Sequence, residues 1–509
     1  MAMPDLSPPS KNTSFFLWGL LILLGLIPFL WPGDTLWVND ESLIILKSFS
    51  ILQGTIATSG LKGTLGILYG PMPIWIYSLG LLLTKNLIYL TMIRSFLFMS
   101  GIVISLFWLS RLSKLEPIWG AIALLSPYLW LYSRPLWDNT FLIPFSALAL
   151  CAYVSFSIRP TIAKLSVTLF CLTAMFLTHL MSAAFILPIA IHFICFHRDW
   201  IKTNRKIFVL QIILALLLCL PYLIQSIKTI LIAVPPVMQV AHKGVIAADH
   251  GIHFSLQGFV FPFFGGRFFS AWGLDYFFGQ NWMENGTSPW ISLLKIAVKI
   301  SYLGILLVWI GLGIAIKNIW KWRSEVKPRR ENGQLHLDLI TVGVFIVMIL
   351  MNGILKTFGH PHYYNATWIC YFYFVWRALS LPVKNGEIFF SIIKIIYIFS
   401  LAFILATLIL NIHQQGGNRD IHYGATLKNQ IEVAQKLNEY DSRSSIEFKV
   451  KNYIYFPHAL TALRKIYQPK SSPDAPVCAL SVDYLHPEKN DGWITVRVKE
   501  GGTITHCNK

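Results

Sequence analysis

The chain has 509 residues, of which 55% are hydrophobic and 13% are charged, and its formal net charge is +18. A soluble protein would carry about 25% charged residues, so this composition excludes an ordinary soluble fold. Apolar segments recur in blocks long enough to cross a bilayer core of about 30 Å as helices, which indicates a polytopic membrane protein.

The positive charge is concentrated in short loops between the apolar blocks. The densest loops contain Lys317, Lys321, Arg323, Lys327, Arg329 and Arg330, and Arg198, Lys202, Arg205 and Lys206. Two further loops contain Arg111, Lys114, Arg159 and Lys164. Loops of this kind stay in the cytoplasm, so the net charge is explained without a nucleic-acid partner, and we predict none.

In chain order, the blocks predict about eleven membrane spans. They lie near 14–32, 87–110, 117–133, 139–158, 163–178, 181–197, 207–226, 291–316, 337–355, 363–380 and 388–410. With the N-terminus inside, every strongly basic loop is cytoplasmic. The segments on the outer side are then 33–86, the turn 134–138, 227–290 and the region from 411. The first span has no small-residue cleavage site and is predicted to be a retained anchor.

The first outer segment opens with two acidic residues and then has two helical patterns. Asp40 and Glu41 directly follow the first span, where two carboxylates cost desolvation energy and stabilise no core. Such a pair is expected to be a catalytic base beside a lipid-borne substrate or an ion site, and a solvated acidic loop is the alternative. The amphipathic segment 42–53 and the short apolar segment 74–84 predict juxtamembrane helices. A true span at 74–84 would instead shift the topology by one.

Two later outer segments differ in composition from the apolar spans. The segment 227–290 is rich in glycine, histidine and aromatic residues, which predicts either a lid over a site or an interfacial aromatic belt. From 411, helical patterns at 425–440 and 458–467 alternate with strand patterns at 446–456, 478–485 and 493–505. We therefore predict a transmembrane domain at 1–410 and a small extracytoplasmic α/β domain at 411–509. Cys478 and Cys507 would be able to form a disulfide there.

The order of these features resembles the GT-C superfamily of membrane glycosyltransferases, above all the protein O-mannosyltransferase and lipid A aminoarabinose transferase branches. The resemblance covers about 1–380, the part that an all-α polytopic fold with juxtamembrane helices would occupy. It is carried by the pair Asp40-Glu41, the turn Gly70-Pro71-Met72-Pro73, the early arginine Arg94 of a span that ends in Arg111 and Lys114, and the outer turn from Ser133 to Asp138. The aminoarabinose branch has lysine where this chain has Gly70, and the aromatic residue that often follows the acidic pair is Ile44 here. The branch and the substrate therefore stay open.

The resemblance implies that a sugar is transferred from a polyprenyl-phosphate donor with inversion of the anomeric centre. The acceptor hydroxyl must lose its proton as it attacks, so a carboxylate base must lie within hydrogen-bond reach. Asp40 matches the position of this base, Asp138 matches a second acid, and Glu41 is expected to orient the acceptor. The alternative for Asp138 is an N-cap of the following span.

The leaving lipid phosphate needs cations in a site of low dielectric constant. The predicted donor phosphate-binding residues are Lys62, Arg94, His179, Lys356 and His362, with Arg134 and His360 as further outer candidates. Arg94 has snorkelling as its alternative, and His179 has an ordinary interfacial hydrogen bond. His360 and His362 are separated by a single proline, which disfavours a two-ligand metal site on one helix face. No cofactor is firmly predicted, and a divalent metal requirement stays open.

The leading hypothesis is a multi-pass glycosyltransferase of a bacterial inner membrane, with its active site on the extracytoplasmic face. Its expected partners are a polyprenyl-phosphate-linked sugar, membrane lipid and a protein, lipid or glycan acceptor. The main rival is a polytopic transporter or lipid flippase for an envelope glycolipid, and a non-catalytic assembly factor is a third reading. Transporters place charges near the bilayer midplane in paired halves, whereas the acids here lie at the outer surface.

Overall fold

The computed structural model describes residues 19–62, 68–242, 256–264, 289–323, 332–355, 361–381, 388–417, 426–441, 445–450, 456–467, 477–483, 495–500 and 503–506. Within these ranges, six helices are long and apolar enough to cross a membrane. They are Leu87–Ser113, Asn139–Ile158, Arg205–Thr229, Ser292–Arg323, Gly333–Ile354 and Phe390–Gln414. Shorter apolar helices are Gly19–Phe29, Met72–Leu83, Ile162–Phe176 and Leu180–Phe196. The chain is thus an integral membrane protein whose membrane part is helical, as predicted.

The helices are numbered in chain order. The first eleven are α1 (Gly19–Phe29), α2 (Asn39–Leu52), α3 (Met72–Leu83), α4 (Leu87–Ser113), α5 (Pro117–Ala121), α6 (Pro127–Tyr132), α7 (Leu142–Ile158), α8 (Ile162–Phe176), α9 (Ala183–Phe196), α10 (Arg198–Thr203) and α11 (Arg205–His242). The next eight are α12 (Leu256–Val260), α13 (Pro289–Ser301), α14 (Leu303–Arg323), α15 (Gly333–Leu355), α16 (Trp368–Leu379), α17 (Ile388–Gln415), α18 (Leu427–Asp441) and α19 (Phe456–Tyr467). Single 3₁₀ turns lie at Ile122–Leu125, Asn139–Phe141, Leu180–Ser182 and Pro361–Tyr364.

Two predicted spans are broken in the structure. The segment 117–133 is divided into α5, a 3₁₀ turn and α6, because Ser126 caps α6 and Pro127 begins it. The segment 363–380 holds only the short helix α16 after a 3₁₀ turn. Every residue of α6 and α16 is buried, so both lie inside the bundle. Interrupted backbone is tolerated at that depth because protein rather than lipid surrounds it.

The two predicted juxtamembrane helices are α2 and α3, which pack against each other. Serine side chains join them: the Ser48 hydroxyl donates to the Ile74 carbonyl at 3.1 Å, and the Ser78 hydroxyl donates to the Ser48 carbonyl at 3.1 Å. Asn86 then caps α4 by accepting hydrogen bonds from Ile88 N and Tyr89 N. The serine contacts hold α2 against α3, and the Asn86 cap fixes the start of α4.

The C-terminal part has the predicted α/β character. Its sheet has the order β1 (Ser445–Val450), β2 (Val477–Asp483), β3 (Thr495–Glu500) and β4 (Thr503–His506), with β1 parallel to β2 and the other pairs antiparallel. The single strand predicted at 493–505 is therefore a hairpin of two strands. The division into domains at 410 stays a prediction, and Cys507 of the predicted disulfide lies outside the described residues.

Helices α18 and α19 pack on each other, and α19 also packs on α2. The buried Trp37 joins these parts, because its indole N–H donates to the Ala459 carbonyl at 3.1 Å and its own carbonyl accepts from the Gln430 amide at 2.8 Å. The C-terminal helices therefore pack on α2 and on the segment just before it. Of the predicted lid 227–290, the described residues form the end of α11, the segment 256–264 and the first two residues of α13, so the lid stays a prediction.

Candidate active site

Asp40 and Glu41 lie in the first turn of α2. Val38, in an extended conformation, precedes this turn, and its backbone N–H donates to Glu41 Oε2 at 3.2 Å. Acidic groups stabilise a helix N-terminus because unpaired N–H groups and the helix dipole are positive there. Glu41 is 1% exposed, and its Oε1 has no hydrogen-bond partner among the described residues. The helix start thus accounts for the hydrogen bond of one Glu41 oxygen, and the other oxygen remains available to hydrogen-bond a ligand.

Asp138 belongs to the turn before α7. Its Oδ1 accepts a hydrogen bond from the Asn139 backbone N–H at 2.7 Å, so it caps the 3₁₀ turn Asn139–Phe141, and it is 4% exposed. The Asp40 carboxylate repels that of Asp138, and the Lys47 ammonium attracts it. The cap expected from the sequence is therefore present, and the same residue also lies within electrostatic reach of α2.

The three carboxyl groups ionise in a definite order. Burial raises the pKa of Asp40, and a hydrogen bond from the Trp137 side chain partly offsets the rise. Burial and then the Asp40 charge raise the pKa of Asp138 to about 7 and that of Glu41 to about 8. Asp40 is more exposed than Glu41 and Asp138 and also accepts the Trp137 hydrogen bond, so its negative charge is the least costly of the three. At neutral pH, Asp40 is the best candidate for a base, and Glu41 holds its proton.

Lys47 is a charged residue of this cluster that the sequence analysis did not select. It lies about two helical turns after Asp40, so both side chains project from one side of α2. Its ammonium donates to the Gly60 carbonyl. Burial lowers the pKa of Lys47, and the Asp138 carboxylate raises it. The spacing from Asp40 was visible in the sequence, but the approach of Gly60 and Asp138 was not.

Aromatic rings border the acids. The Trp137 side chain hydrogen-bonds to Asp40, and its ring centroid lies 5.0 Å from that of His362. The Tyr69 ring lies 4.3 Å from the His179 ring, and the Tyr363 ring lies 4.4 Å from the His362 ring. Trp137, Tyr69 and Tyr363 were not predicted as site residues, although Trp137 directly precedes Asp138. Aromatic faces of this kind can pack against the apolar face of a sugar ring.

His179 is buried, and burial lowers its pKa to about 4. Its Nδ1 accepts a hydrogen bond from Met181 N at 3.1 Å, so the ring caps the 3₁₀ turn Leu180–Ser182. A neutral ring then carries its proton on Nε2. In this state His179 offers a hydrogen-bond donor rather than a charge, and its predicted contact with phosphate stays a prediction.

Arg94 is held by the outer turn of the bundle. Its guanidinium donates to the Tyr132 carbonyl at 2.8 Å and to the Thr140 hydroxyl, and it lies over the Phe98 ring at 4.7 Å. It is 2% exposed. These contacts link α4 to the turn that carries Asp138, whereas the predicted phosphate contact of Arg94 stays a prediction.

The remaining predicted cations differ in their distance from the acids and in their exposure. Lys62 is exposed and forms an isolated backbone bridge with Leu68. His362 lies beside Trp137, within the cluster. The Arg134 side chain donates to the Trp31 carbonyl and lies over the Trp130 ring, in a buried position. Lys356 and His360 lie outside the described residues.

The late loop is tied to the Asp138 turn by a buried network. The Tyr128 hydroxyl donates to the Asn365 side-chain carbonyl at 2.6 Å and to the Pro361 carbonyl at 2.9 Å. The Asn365 amide in turn donates to Asn139 Oδ1 at 3.1 Å. This network fixes the positions of His362 and Tyr363 relative to Asp138.

Gly70 occupies a place that no side chain can fill. A Cβ there would lie 2.1 Å from the Leu177 carbonyl oxygen, and Met72 N donates to the same oxygen at 3.1 Å. Backbone of α8 therefore approaches the Pro-rich turn directly. This contact explains why the lysine expected at this point of the resemblance is missing here.

Carboxylate and imidazole groups are the candidate metal ligands near α2. The carboxyl groups of Asp40, Glu41 and Asp138 belong to one electrostatic cluster. No group of three or more histidine, cysteine, aspartate or glutamate residues in the described ranges has a geometry that would hold a metal ion. A metal requirement therefore stays an open prediction.

No family model matches the chain, and no curated protein matches it. Solved structures do match. ArnT from Cupriavidus metallidurans bound to undecaprenyl phosphate has a TM-score of 0.52 at 12% identity, over 93% of each chain. The apo state of that protein has a TM-score of 0.50 at 11% identity, also over 93% of each chain. An oligosaccharyltransferase of Archaeoglobus fulgidus, in complex with Zn and sulfate, has a TM-score of 0.43 at 14% identity, over 89% of this chain and 62% of that chain.

At these identities the ArnT matches show the fold. The helical membrane fold that the resemblance implied is therefore confirmed over nearly the whole chain. ArnT is a lipid A aminoarabinose transferase, one of the two branches that the motifs indicated.

Proposed function

We propose that the protein is an inverting glycosyltransferase that moves a sugar from a polyprenyl-phosphate donor to an acceptor hydroxyl. The observation that carries the proposal is the cluster of Asp40, Glu41 and Asp138 beside Lys47, at the start of a juxtamembrane helix. Such grouping of perturbed acids is typical of active sites. The fold shared with a glycosyltransferase and that protein's binding of undecaprenyl phosphate support the same reaction class.

In this proposal, the acceptor oxygen attacks the anomeric carbon while Asp40 takes the acceptor proton. The bond from the anomeric carbon to the phosphate oxygen breaks, and its electron pair leaves with the lipid phosphate. A single displacement of this kind inverts the anomeric centre. Asp40 suits the role of base because it ionises before Asp138 and Glu41. Glu41, which keeps its proton at neutral pH, is proposed to orient the acceptor, and Asp138 to act as a second acid.

The site is proposed to face the extracytoplasmic side of a bacterial inner membrane. Asp40 and Glu41 lie in α2, and Asp138 lies between α6 and α7. The basic segment containing Arg198 follows the C-terminal end of α9, whereas His179, which contacts Tyr69 beside the acids, lies just before its N-terminal end. Basic loops stay in the cytoplasm, which supports an outward orientation for Asp40. A lipid-borne donor could then reach α2 from within the bilayer plane, and a protein, lipid or glycan acceptor from the aqueous side.

The test is transfer of labelled sugar from polyprenyl-phosphate donors by purified protein, with a membrane extract as the source of acceptors. Wild type is compared with Asp40→Asn and with Glu432→Gln, which neutralises an exposed carboxylate of α18. We expect transfer by wild type and by Glu432→Gln but not by Asp40→Asn, and the labelled product identifies the acceptor. Addition of a chelator in the same assay decides the metal requirement.

A transporter or lipid flippase predicts a different result. Neither wild type nor variant would then transfer label from any donor, while wild type would move labelled lipid across the membrane of proteoliposomes. That outcome would reject the glycosyltransferase proposal even though the fold is shared.

A further inference from the structure

Lys47 is held at a junction of three backbone segments. Its ammonium donates to the Gly60 carbonyl. Gly60 N donates to the Tyr69 carbonyl at 2.8 Å, and Tyr69 N donates to the Leu61 carbonyl at 2.8 Å. A Cβ on Gly60 would lie 2.4 Å from the Gly70 carbonyl oxygen, so the two glycines are in close contact. The side chain of Lys47 therefore reaches from α2 to the segment just before the Pro-rich turn.

This junction lies next to the acids. Lys47 shares a side of α2 with Asp40, and its charge interacts with that of Asp138. An ammonium group has three N–H donors, and the described residues provide Lys47 with one hydrogen-bond acceptor, Gly60. Lys47 is also half-buried, in surroundings that screen charge less than water does. It can therefore keep its contact with Gly60 while it binds a second, anionic acceptor.

The other described cations are less suited to an anion at this point. His179 is neutral at physiological pH because burial lowers its pKa to about 4. Arg94 donates through Nη2 to Tyr132 and Thr140 and is only 2% exposed, so it is less accessible to a ligand than the half-buried Lys47. Gly70 excludes a lysine from the position before the prolines, and Lys47 brings an ammonium to the same junction from a different helix.

We propose that Lys47 binds the phosphate of the lipid donor and neutralises the negative charge that grows on this phosphate as the sugar leaves. The proposal rests on the proposed function and names the residue that would recognise a phosphorylated lipid. Asp138 is the counter-charge of Lys47 in the unliganded protein, and the phosphate takes its place when the donor binds. An ammonium contributes through charge and hydrogen bonding together, so its loss weakens phosphate binding much more than the binding of an uncharged polyprenol.

The experiment measures binding of undecaprenyl phosphate and of undecaprenol to purified full-length protein. The variants are Lys47→Gln and Lys47→Arg, with Lys85→Met as a control that removes an exposed lysine between α3 and α4. Glutamine can still donate to the Gly60 carbonyl, so a purely structural role is preserved without the charge. We expect Lys47→Gln to weaken binding of the phosphate about tenfold to a hundredfold, with binding of the alcohol unchanged. Lys47→Arg and Lys85→Met are expected to stay within about threefold of wild type.

Three outcomes overturn the proposal. If Lys47→Gln binds the phosphate as tightly as wild type does, Lys47 is not the phosphate-binding residue. The proposed function would still stand if wild type transfers sugar. Equal loss of phosphate and alcohol binding, with a lowered melting temperature, shows that Lys47 only supports the fold, and again transfer by wild type leaves the function standing. If wild type binds no polyprenyl phosphate and transfers no sugar, both proposals fail together.

Discussion

The protein has two groups of polar residues around buried carboxylates. In one group the negative charge is paired with a cation, and in the other the negative charges outnumber the cations. Asp338 in α15 is fully buried, and it accepts hydrogen bonds from the Arg377 guanidinium, the Tyr373 hydroxyl at 2.9 Å and the Asn318 amide at 2.6 Å. Each of its two carboxylate oxygens is paired. At the start of α2, by contrast, the charges of Asp40, Glu41 and Asp138 repel one another, Lys47 attracts Asp138, and Glu41 Oε1 has no partner among the described residues.

This difference distinguishes a group of residues that stabilises the fold from a group that is suited to catalysis or ligand binding. A buried charge that is fully paired adds specificity to packing, and removal of its partner is strongly destabilising. A group of acids with too few cations is unfavourable for the fold by itself, and such an arrangement is typical of sites that move protons or bind a missing charge. The first cluster should therefore respond to mutation through stability, and the second through activity.

The largest expected effect is a loss of activity from one carboxylate-to-amide change in the outer cluster. Asp40→Asn is expected to lower kcat/KM for sugar transfer by about 10²–10⁴, the range that a positioned proton acceptor contributes. Its melting temperature should stay at or above that of wild type, because a buried charge is removed. Asp338→Asn makes the same chemical change in the other cluster and should lower the melting temperature, since it leaves Arg377 without its charged partner.

A melting temperature lowered equally by both amide substitutions would contradict this contrast. Thermal unfolding in detergent, monitored by intrinsic tryptophan fluorescence, measures the stability, and the transfer assay measures the activity of each variant.

The second expected effect is the destabilisation caused by Arg377→Met. The change keeps an apolar chain of similar length but leaves the Asp338 carboxylate buried without its cation. Loss of one partner of a buried pair lowers the free energy of unfolding by about 3–5 kcal/mol. The double variant Arg377→Met/Asp338→Leu should recover much of this loss. Recovery would be absent if the arginine acted mainly through its other contacts.

The outer acids could be found in the sequence because carboxylates beside apolar spans are rare. Asp40 and Glu41 were predicted on this ground, and Asp138 was predicted from the resemblance to the GT-C superfamily. The spans and juxtamembrane helices followed from hydropathy and proline positions. Lys47 could not be assigned, because in the sequence it is simply a polar residue of an amphipathic helix. Its significance depends on the approach of Gly60, which requires the segment after α2 to fold back.

The same limit applies to the broken helices and to Arg94. Hydropathy predicts a span at 117–133 but cannot tell a lipid-facing helix from short buried pieces, since both are apolar. An arginine within an apolar span signals importance, but its partners Tyr132 and Thr140 come from a turn far along the chain. Local patterns thus predict the elements, and long-range packing decides which polar groups meet.

The pH dependence of stability gives a third, smaller effect. Burial and the Asp40 charge raise the pKa of Glu41 to about 8, well above its ordinary value. Between the ordinary pKa and about 8, the folded state holds a proton that the unfolded state has lost, so a rise in pH through this window destabilises the fold. Glu41→Gln has no proton to lose and should be more stable than wild type above pH 8, by at most about 5 kcal/mol, since the shift from 4.5 to about 8 is worth about 1.4 kcal/mol per pKa unit.

Thermal unfolding of wild type and Glu41→Gln from pH 5 to pH 9 measures this difference. The stability gap should be small at pH 5, widen as the pH rises and become constant above about pH 8. A gap that does not change with pH would mean that Glu41 is ionised in the folded protein at low pH, and its proposed role as a protonated group that orients the acceptor would be wrong.

The smallest expected effect concerns Gly70, where the Leu177 backbone carbonyl approaches the Pro-rich turn. A methyl group at Gly70 would meet the Leu177 carbonyl, which is backbone and cannot rotate away. Gly70→Ala should therefore destabilise the protein by about 1–3 kcal/mol, as overpacking does. Gly313→Ala, at a helical position with no atom within 4 Å of the added carbon, should be neutral or stabilising. Because the displaced turn adjoins Gly60, Gly70→Ala should also weaken phosphate binding more than Gly313→Ala does, and equal binding by the two variants would separate Lys47 from the turn.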